Sequence, residues 1–355
     1  MAYHRFLIIN PFGIGDVLFT VPMIKNIKAH VPDAFIGYVA NRRTAPLLQN
    51  LPEIDQVIIY DRDEFKAVSK RSKLAFLKLL RFTLHEIRLP RFDMAIDLSL
   101  TGYASFYCLL AGIKERIGLN FKGRSLFLTR KIPFAGFEGR PVAEYYLDLA
   151  KELGIPVAHR SMEVPVPALD HAWAADFLKK IRGEEKYLIA VFPGGGESWG
   201  QDAKFKRWPA AKYAQLVQKV FEDFGVQVIL MGDPKEESLC KEIQSLVKYP
   251  LLSACGATTL GQTMAVLDQC SLAVVNDGGP LHMAVASGTK TVSIFGPVDE
   301  KVYGPYPAEG HRVVVRSIAC RPCYRNFRRA ACEHVSCLKN IEVEQVLSAV
   351  GKSLA

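Results

Sequence analysis

Two periods of hydrophobic and polar positions run through this chain. Short, nearly unbroken apolar runs recur near 5–10, 34–40, 56–60 and 94–98, then near 187–192, 226–231, 272–276 and 291–295. Runs of that length bounded by turn residues predict buried strands. Between them lie stretches of helical spacing, such as Val21 to His30, His171 to Ile181 and Val343 to Leu354. Strand and helix in alternation predict parallel sheets, because each parallel pair needs a crossover that a helix fills. The two sets of strands are separated by Val157 to Asp170, where Pro165 and Pro167 break any period. The expectation is an α/β chain with two doubly wound sheets: one domain over 1–165, a second over 166–340, and a terminal helix within 341–355 that packs back on the first domain.

Composition narrows the class. At 355 residues, with 49% hydrophobic and 23% charged, the chain is globular and has room for two cores. Phe6-Leu7-Ile8-Ile9 starts a strand almost at once, leaving no basic-then-apolar leader, and no apolar stretch reaches the roughly 18 residues that span a membrane. A cytoplasmic protein is expected. The net charge of +9 is uneven: residues 1–165 hold 23 Lys and Arg against 16 Asp and Glu, the remainder 22 against 20. An anionic partner is therefore expected at the first half. Much of the excess lies where Lys70, Arg71, Lys73, Lys78, Arg81 and Arg88 interleave with Leu74, Leu77 and Phe82. That pattern suits a membrane surface, or else a solvated helix covering its own core. Without a groove-reading element or an aromatic-basic platform, no nucleic-acid partner is expected.

Three strand-to-helix turns carry candidate chemistry. After the first strand, Gly13-Ile14-Gly15-Asp16 offers close backbone approach and delivers a carboxylate near a helix N-terminus, where its ionised form is favoured. Asp16 reads as a proton acceptor or as a helix N-cap. As a dinucleotide fingerprint the loop is poor, with Leu18 where a third small residue belongs and Asn41-Arg42-Arg43 where an acid belongs, so no nicotinamide cofactor is expected. The fifth run leads into Gly194-Gly195-Gly196-Glu197-Ser198 and then Lys204-Phe205-Lys206-Arg207-Trp208-Pro209, a glycine loop and lysines suited to a diphosphate, with Lys206 preferred over Lys204. Asn276-Asp277-Gly278-Gly279-Pro280 is the third turn: its glycines expose backbone N–H groups at a helix start, Pro280 fits the first helical turn, and Asp277 is expected to face sugar hydroxyls. A Glu after Gly232-Asp233-Pro234, either Glu236 or Glu237, can hold a ribose diol.

Two other groups read less clearly. Asp61-Arg62-Asp63 imitates a metal-binding Asp-x-Asp, but its setting favours surface charge and no metal role is assigned. Cys320-x2-Cys323-x8-Cys332-x4-Cys337 has the spacing of a structural zinc site, of a redox pair, or of plain reduced cysteines. Cys108, Cys240, Cys255 and Cys270 sit in apolar contexts and read as small core residues.

Gly13-x-Gly15-Asp16-Val17-Leu18, Phe92-Asp93-Met94-Ala95-Ile96-Asp97-Leu98, Lys206-Arg207-Trp208-Pro209 and Asn276-Asp277-Gly278-Gly279-Pro280-x-His282 with Phe295-Gly296-Pro297 together resemble glycosyltransferase family 9 over nearly the whole chain. Its best-known members are ADP-heptose:lipopolysaccharide heptosyltransferases. The resemblance implies a GT-B fold, two Rossmann-like domains facing across a cleft. It also implies inverting sugar transfer without catalytic metal or other cofactor, with a nucleotide-sugar donor, ADP-heptose, and a lipopolysaccharide inner-core acceptor at the inner face of the cytoplasmic membrane. Carried over, Asp16 matches the general base, Lys206 the diphosphate-binding lysine, Glu236 the nucleoside-binding acid, and Asp277, Gly279 and Pro280 the sugar-phosphate turn. Gly194, Gly195, Gly196, Gly278 and His282 join the donor site, and Gly13 and Gly15 the acceptor side. The glycine run departs from the hydroxyl residues of the best-known members, which leaves open another nucleotide sugar; a nucleotide-sugar or glycan-binding protein without catalysis is the other reading, disfavoured by the presence of Asp16 and Lys206.

Overall fold

A computed structural model describes residues 3–181, 187–196 and 199–355, without the side chains of Ile181 and Gln201. Glu197 and Ser198 of the expected glycine loop lie outside the described residues. The chain divides into two units, 1–137 with 142–160, and 138–141 with 161–355, so the second begins a little before the expected 166.

The first unit is built on β1 (Arg5–Ile9), β2 (Phe35–Ala40), β3 (Gln56–Ile59), β4 (Met94–Asp97), β5 (Glu115–Phe121) and β6 (Arg130–Phe134), ordered β3-β2-β1-β4-β5-β6. Every pairing is parallel. Chain order reverses direction between β1 and β4. Leu7, Ile9, Val39 and Ala95 form the apolar face on which Ile87 and Phe92 pack. Gly37 is needed there, because a Cβ on it would stand 2.4 Å from the Phe92 ring.

The second unit repeats the plan with β7 (Leu188–Phe192), β8 (Gln227–Leu230), β9 (Leu252–Ser253), β10 (Leu272–Asn276), β11 (Thr291–Phe295) and β12 (Arg312–Val315), ordered β12-β11-β10-β7-β8-β9 and parallel throughout. Its reversal falls between β7 and β10. In such open sheets the carboxyl ends of the strands flanking the reversal form a ligand-binding crevice, since the connecting chains leave in opposite directions.

Of the twelve strands in these two sheets, four, β5, β6, β9 and β12, lie outside the predicted runs. β5 is interrupted by Arg116, Gly118 and Asn120, and β6 carries Pro133 and mostly exposed residues, as an edge strand tolerates. The terminal helix, Val343–Leu354, expected on the first domain, has its described packing in the second unit. There Val343, Val346, Ala349 and Val350 bury against helix Ala210–Phe224 and strands β10 to β12. Its apolar stripe required a sheet face to cover and did not specify which sheet.

Candidate active site

In the first unit, β1 ends in Asn10-Pro11-Phe12 and leads into a short helix, Ile14–Leu18, with Gly13 as its N-cap. Asp16 is the third residue of that helix rather than its cap, and its Oδ2 accepts the Gly13 N–H at 3.2 Å. Buried Asn10 donates through Nδ2 to the Asp16 carbonyl at 2.9 Å, fixing the backbone that carries the carboxylate. Asn41, at the end of β2, donates to the Pro11 and Phe12 carbonyls while its Oδ1 accepts the N–H groups of Arg43 and Thr44. Glycine is not a backbone requirement at Gly13 or Gly15: neither has a positive φ, and a Cβ on Gly13 would make only an ordinary 3.5 Å contact with Asp16.

Beside β1 across the reversal, β4 ends in Asp97, which sequence reading left without a role. Its carboxylate is buried and accepts the Ser99 N–H at 2.9 Å; burial pushes its pKa up to about 6, against the opposing pull of its serine hydrogen bonds.

The second unit gathers most of the expected site residues at the carboxyl ends of β7, β8 and β10. Lys206 and Asp277 form an ion pair, Nζ to Oδ2 2.7 Å, with their side chains 7% and 6% exposed. The Lys206 ammonium also stands 4.4 Å from the centre of the Trp199 ring, which packs on Tyr324. Asp277 was expected to face sugar hydroxyls; in this structure its partner is Lys206. Lys204, by contrast, is exposed.

Next to the pair lie two glycine turns. Gly278 precedes helix Gly279–Ala286 with φ 157°, and Gly196 has φ 67°, both in the region that favours glycine. A Cβ on Gly196 would lie 3.9 Å from the Gly279 amide nitrogen, so the glycine loop faces the start of that helix. Gly196, Gly278, Gly279 and Pro280 are partly exposed, whereas Lys206, Asp277, Glu236 and His282 are buried. Buried charge and more exposed glycine backbone are thus gathered at the same strand ends, with first-turn N–H groups and the positive end of a helix dipole among them.

Glu236 and Glu237 are separated by the fold. Glu237 is exposed and pairs with Lys241 at 2.6 Å. Glu236 is buried, and its carboxylate accepts the Gly196 and Asp233 N–H groups, each at 3.2 Å, with Arg207 3.7 Å away. Burial first, then the nearby Asp233, raises its pKa. Gly194 makes room for it: a Cβ there would lie 1.7 Å from Glu236 Oε1. His282, expected among the donor-contacting residues, lies buried below the turn, where burial and then the Lys206 charge lower its pKa to about 3, so its imidazole is neutral at physiological pH.

Asn276, quoted in the motif without a role, joins these parts. Its Nδ2 donates to the Pro193 and Gly194 carbonyls at 2.9 and 2.8 Å, and its Oδ1 accepts the Trp208 N–H at 3.3 Å. Trp208 is anchored by its indole N–H on the Ile341 carbonyl, which also accepts from Lys212. An Asn at the end of a strand is also a common turn residue, so its sequence signal was ambiguous.

The four clustered cysteines are free thiols that line one cavity with His334 and Arg329. Among the described residues, no group of three or more His, Cys, Asp or Glu side chains is placed to hold a metal ion. Asp61 is a helix N-cap, its Oδ1 accepting the Asp63 and Glu64 N–H groups.

The pattern of glycosyltransferase family 9 (heptosyltransferase) matches residues 81–334. Lipopolysaccharide heptosyltransferase 2 of Escherichia coli is 27% identical over 307 residues, covering 82% of this chain and 83% of that protein. Among solved structures, a glycosyltransferase family 9 protein of Veillonella parvula superposes with a TM-score of 0.82 at 20% identity, covering 100% of this chain and 98% of that one. The E. coli ADP-heptose lipopolysaccharide heptosyltransferase II superposes with a TM-score of 0.77 at 22% identity, covering 99% and 98%. These two likenesses concern the fold, two parallel α/β sheets of the GT-B class. With the family pattern spanning most of its length, this chain belongs to glycosyltransferase family 9, the heptosyltransferases, and is a sugar-transferring enzyme.

Proposed function

We propose that this enzyme transfers heptose from ADP-heptose to the inner core of lipopolysaccharide, inverting the anomeric centre, at the cytoplasmic face of the cytoplasmic membrane. The observation that carries the reading is the Lys206–Asp277 pair next to the two glycine turns at the reversal of the second sheet. A diphosphate resting on Gly196, Gly278 and Gly279 meets backbone N–H groups and a helix N-terminus, with the Lys206 ammonium held nearby on Asp277, the residue before Gly278. Glu236, which accepts the Gly196 N–H, lies at the start of the helical segment after β8, where a ribose hydroxyl can donate to it. The E. coli relative named for ADP-heptose supports this donor.

In the reaction, the acceptor hydroxyl oxygen attacks the anomeric carbon from the face opposite the diphosphate. Its proton passes to the Asp16 carboxylate, and the bond from the anomeric carbon to the phosphate oxygen breaks. Negative charge grows on the departing ADP, where Lys206 and the helix N-terminus after Gly278 oppose it. Asp16 reports its role through proton transfer alone. Asp16→Asn keeps the size of the side chain and is expected to lower turnover by about 10²- to 10⁴-fold, the usual worth of a general base, with ADP affinity unchanged. Wild-type turnover in that variant, measured with ADP-heptose and a lipopolysaccharide core fragment, would overturn the assignment.

A further inference from the structure

Helix Lys73–Arg88 of the first unit has two apolar faces. One is its core face: Ile87 and Thr83 are buried, and Phe76 lies edge-on to Phe65 with ring centres 6.2 Å apart. The other carries Leu74, Leu77, Phe82 and, one residue past the helix, Leu89, which are 67, 52, 63 and 66% exposed. At about 100° per residue, these four and Lys78, Arg81, His85 and Arg88 fall within one arc of about 140°. The reading of this stretch as a helix that merely covers its own core does not account for that second face, because the core stripe lies on the opposite side.

Charge on the outer face is of one sign. Of the acids nearby, Glu86 accepts from Gln56 on β3, Glu64 pairs with Arg42, and Asp61 caps the preceding helix, while exposed Asp63 sits in the first turn of that helix, at the end away from Lys70 and Arg71. Exposed Lys66, Lys70 and Arg71 extend the basic surface along that preceding helix, Arg62–Arg71. A second copy of the chain fits poorly, since an isologous contact would set Lys78, Arg81 and Arg88 against themselves. Leucine and phenylalanine alternating with Lys and Arg on one exposed face complement a surface that is both anionic and apolar underneath.

We propose that the outer face of helix Lys73–Arg88 docks the enzyme on an anionic phospholipid bilayer, Leu74, Leu77, Phe82 and Leu89 entering the headgroup region while Lys78, Arg81 and Arg88 meet lipid phosphates. This deepens the membrane placement proposed above and rests on it for its purpose, but its test involves no sugar transfer. The full-length protein is floated with vesicles of phosphatidylglycerol and phosphatidylethanolamine, and with vesicles of phosphatidylcholine. Wild type is expected to float with the anionic vesicles and about tenfold less with the neutral ones. Leu77→Ser with Phe82→Ser, and separately Lys78→Glu with Arg81→Glu, are each expected to lower flotation at least about tenfold, with ADP binding and the monomer-dimer state unchanged. Failure of wild type to float, variants that float like wild type, or a wild-type dimer that the variants dissolve would each overturn the proposal. Turnover on a lipid-free core fragment is read separately, so loss of the transfer reaction and loss of docking are distinguishable.

Discussion

A charge taken out of water must find its compensation locally, and the carboxylates of this protein do so in different ways. Asp277 has the Lys206 ammonium, and Glu236 has two backbone N–H groups. Asp97 has only hydroxyl and backbone donors from a serine loop, so burial dominates and its pKa rises from 3.8 to about 6. The folded chain thus binds this proton more tightly than the unfolded chain. Stability from this group is full below the unfolded value and is lost as pH rises from about 4 to about 6, by roughly 3 kcal/mol in all. Asp97→Asn keeps the acceptor and removes the titration. Unfolding by urea across that window is expected to show the variant gaining on wild type as pH rises, by up to roughly 3 kcal/mol. A stability difference independent of pH would show that Asp97 does not carry the shift.

At the level of elements, each sheet ends its first strand in a glycine loop bolted by an asparagine, Asn41 onto Pro11 and Phe12, Asn276 onto Pro193 and Gly194. The glycines of the two loops are unlike in their demands. Gly194→Ala drives a Cβ into the Glu236 carboxylate, which must swing away and release the Gly196 and Asp233 N–H groups. We expect a loss of about 1–3 kcal/mol in stability, as for other overpacked sites, and about tenfold weaker ADP binding. Gly13→Ala has a permitted φ and an ordinary contact, and is expected to change stability by less than about 0.5 kcal/mol. Calorimetry with ADP and urea unfolding of both variants check this; equal effects would refute the distinction. The same elements show what sequence alone could carry. Strands whose residues are apolar on both faces, such as Leu188–Phe192 and Leu272–Asn276, were legible because a doubly covered parallel strand needs an unbroken apolar run. β5 was not, since Gly118 answers to the Asp97 carbonyl, 2.4 Å from where its Cβ would stand. Lys206 and Asp277 were each legible as charged groups near glycines. Their pairing was not, because it depends on the placing of neighbouring strand ends.

For the whole molecule, the proposed function assigns the two substrates to units of unequal charge. The second unit keeps the Lys206–Asp277 pair under 10% exposed, so on the proposed reading, in which the donor phosphates rest on backbone N–H groups beside it, salt reaches the donor weakly. The excess of Lys and Arg lies in the first 165 residues, largely on exposed helix faces such as Lys73–Arg88. An acceptor bearing several phosphates or carboxylates is drawn by that field over distances comparable with the Debye length, which shrinks from about 30 Å at 0.01 M salt to about 8 Å at 0.15 M. Across that range, with a soluble core fragment so that no bilayer contributes, KM for the acceptor is expected to rise at least about fivefold and KM for the donor less than about twofold. Parallel rises would mean that both substrates are gripped by exposed charge, which the burial of Lys206 and Asp277 argues against.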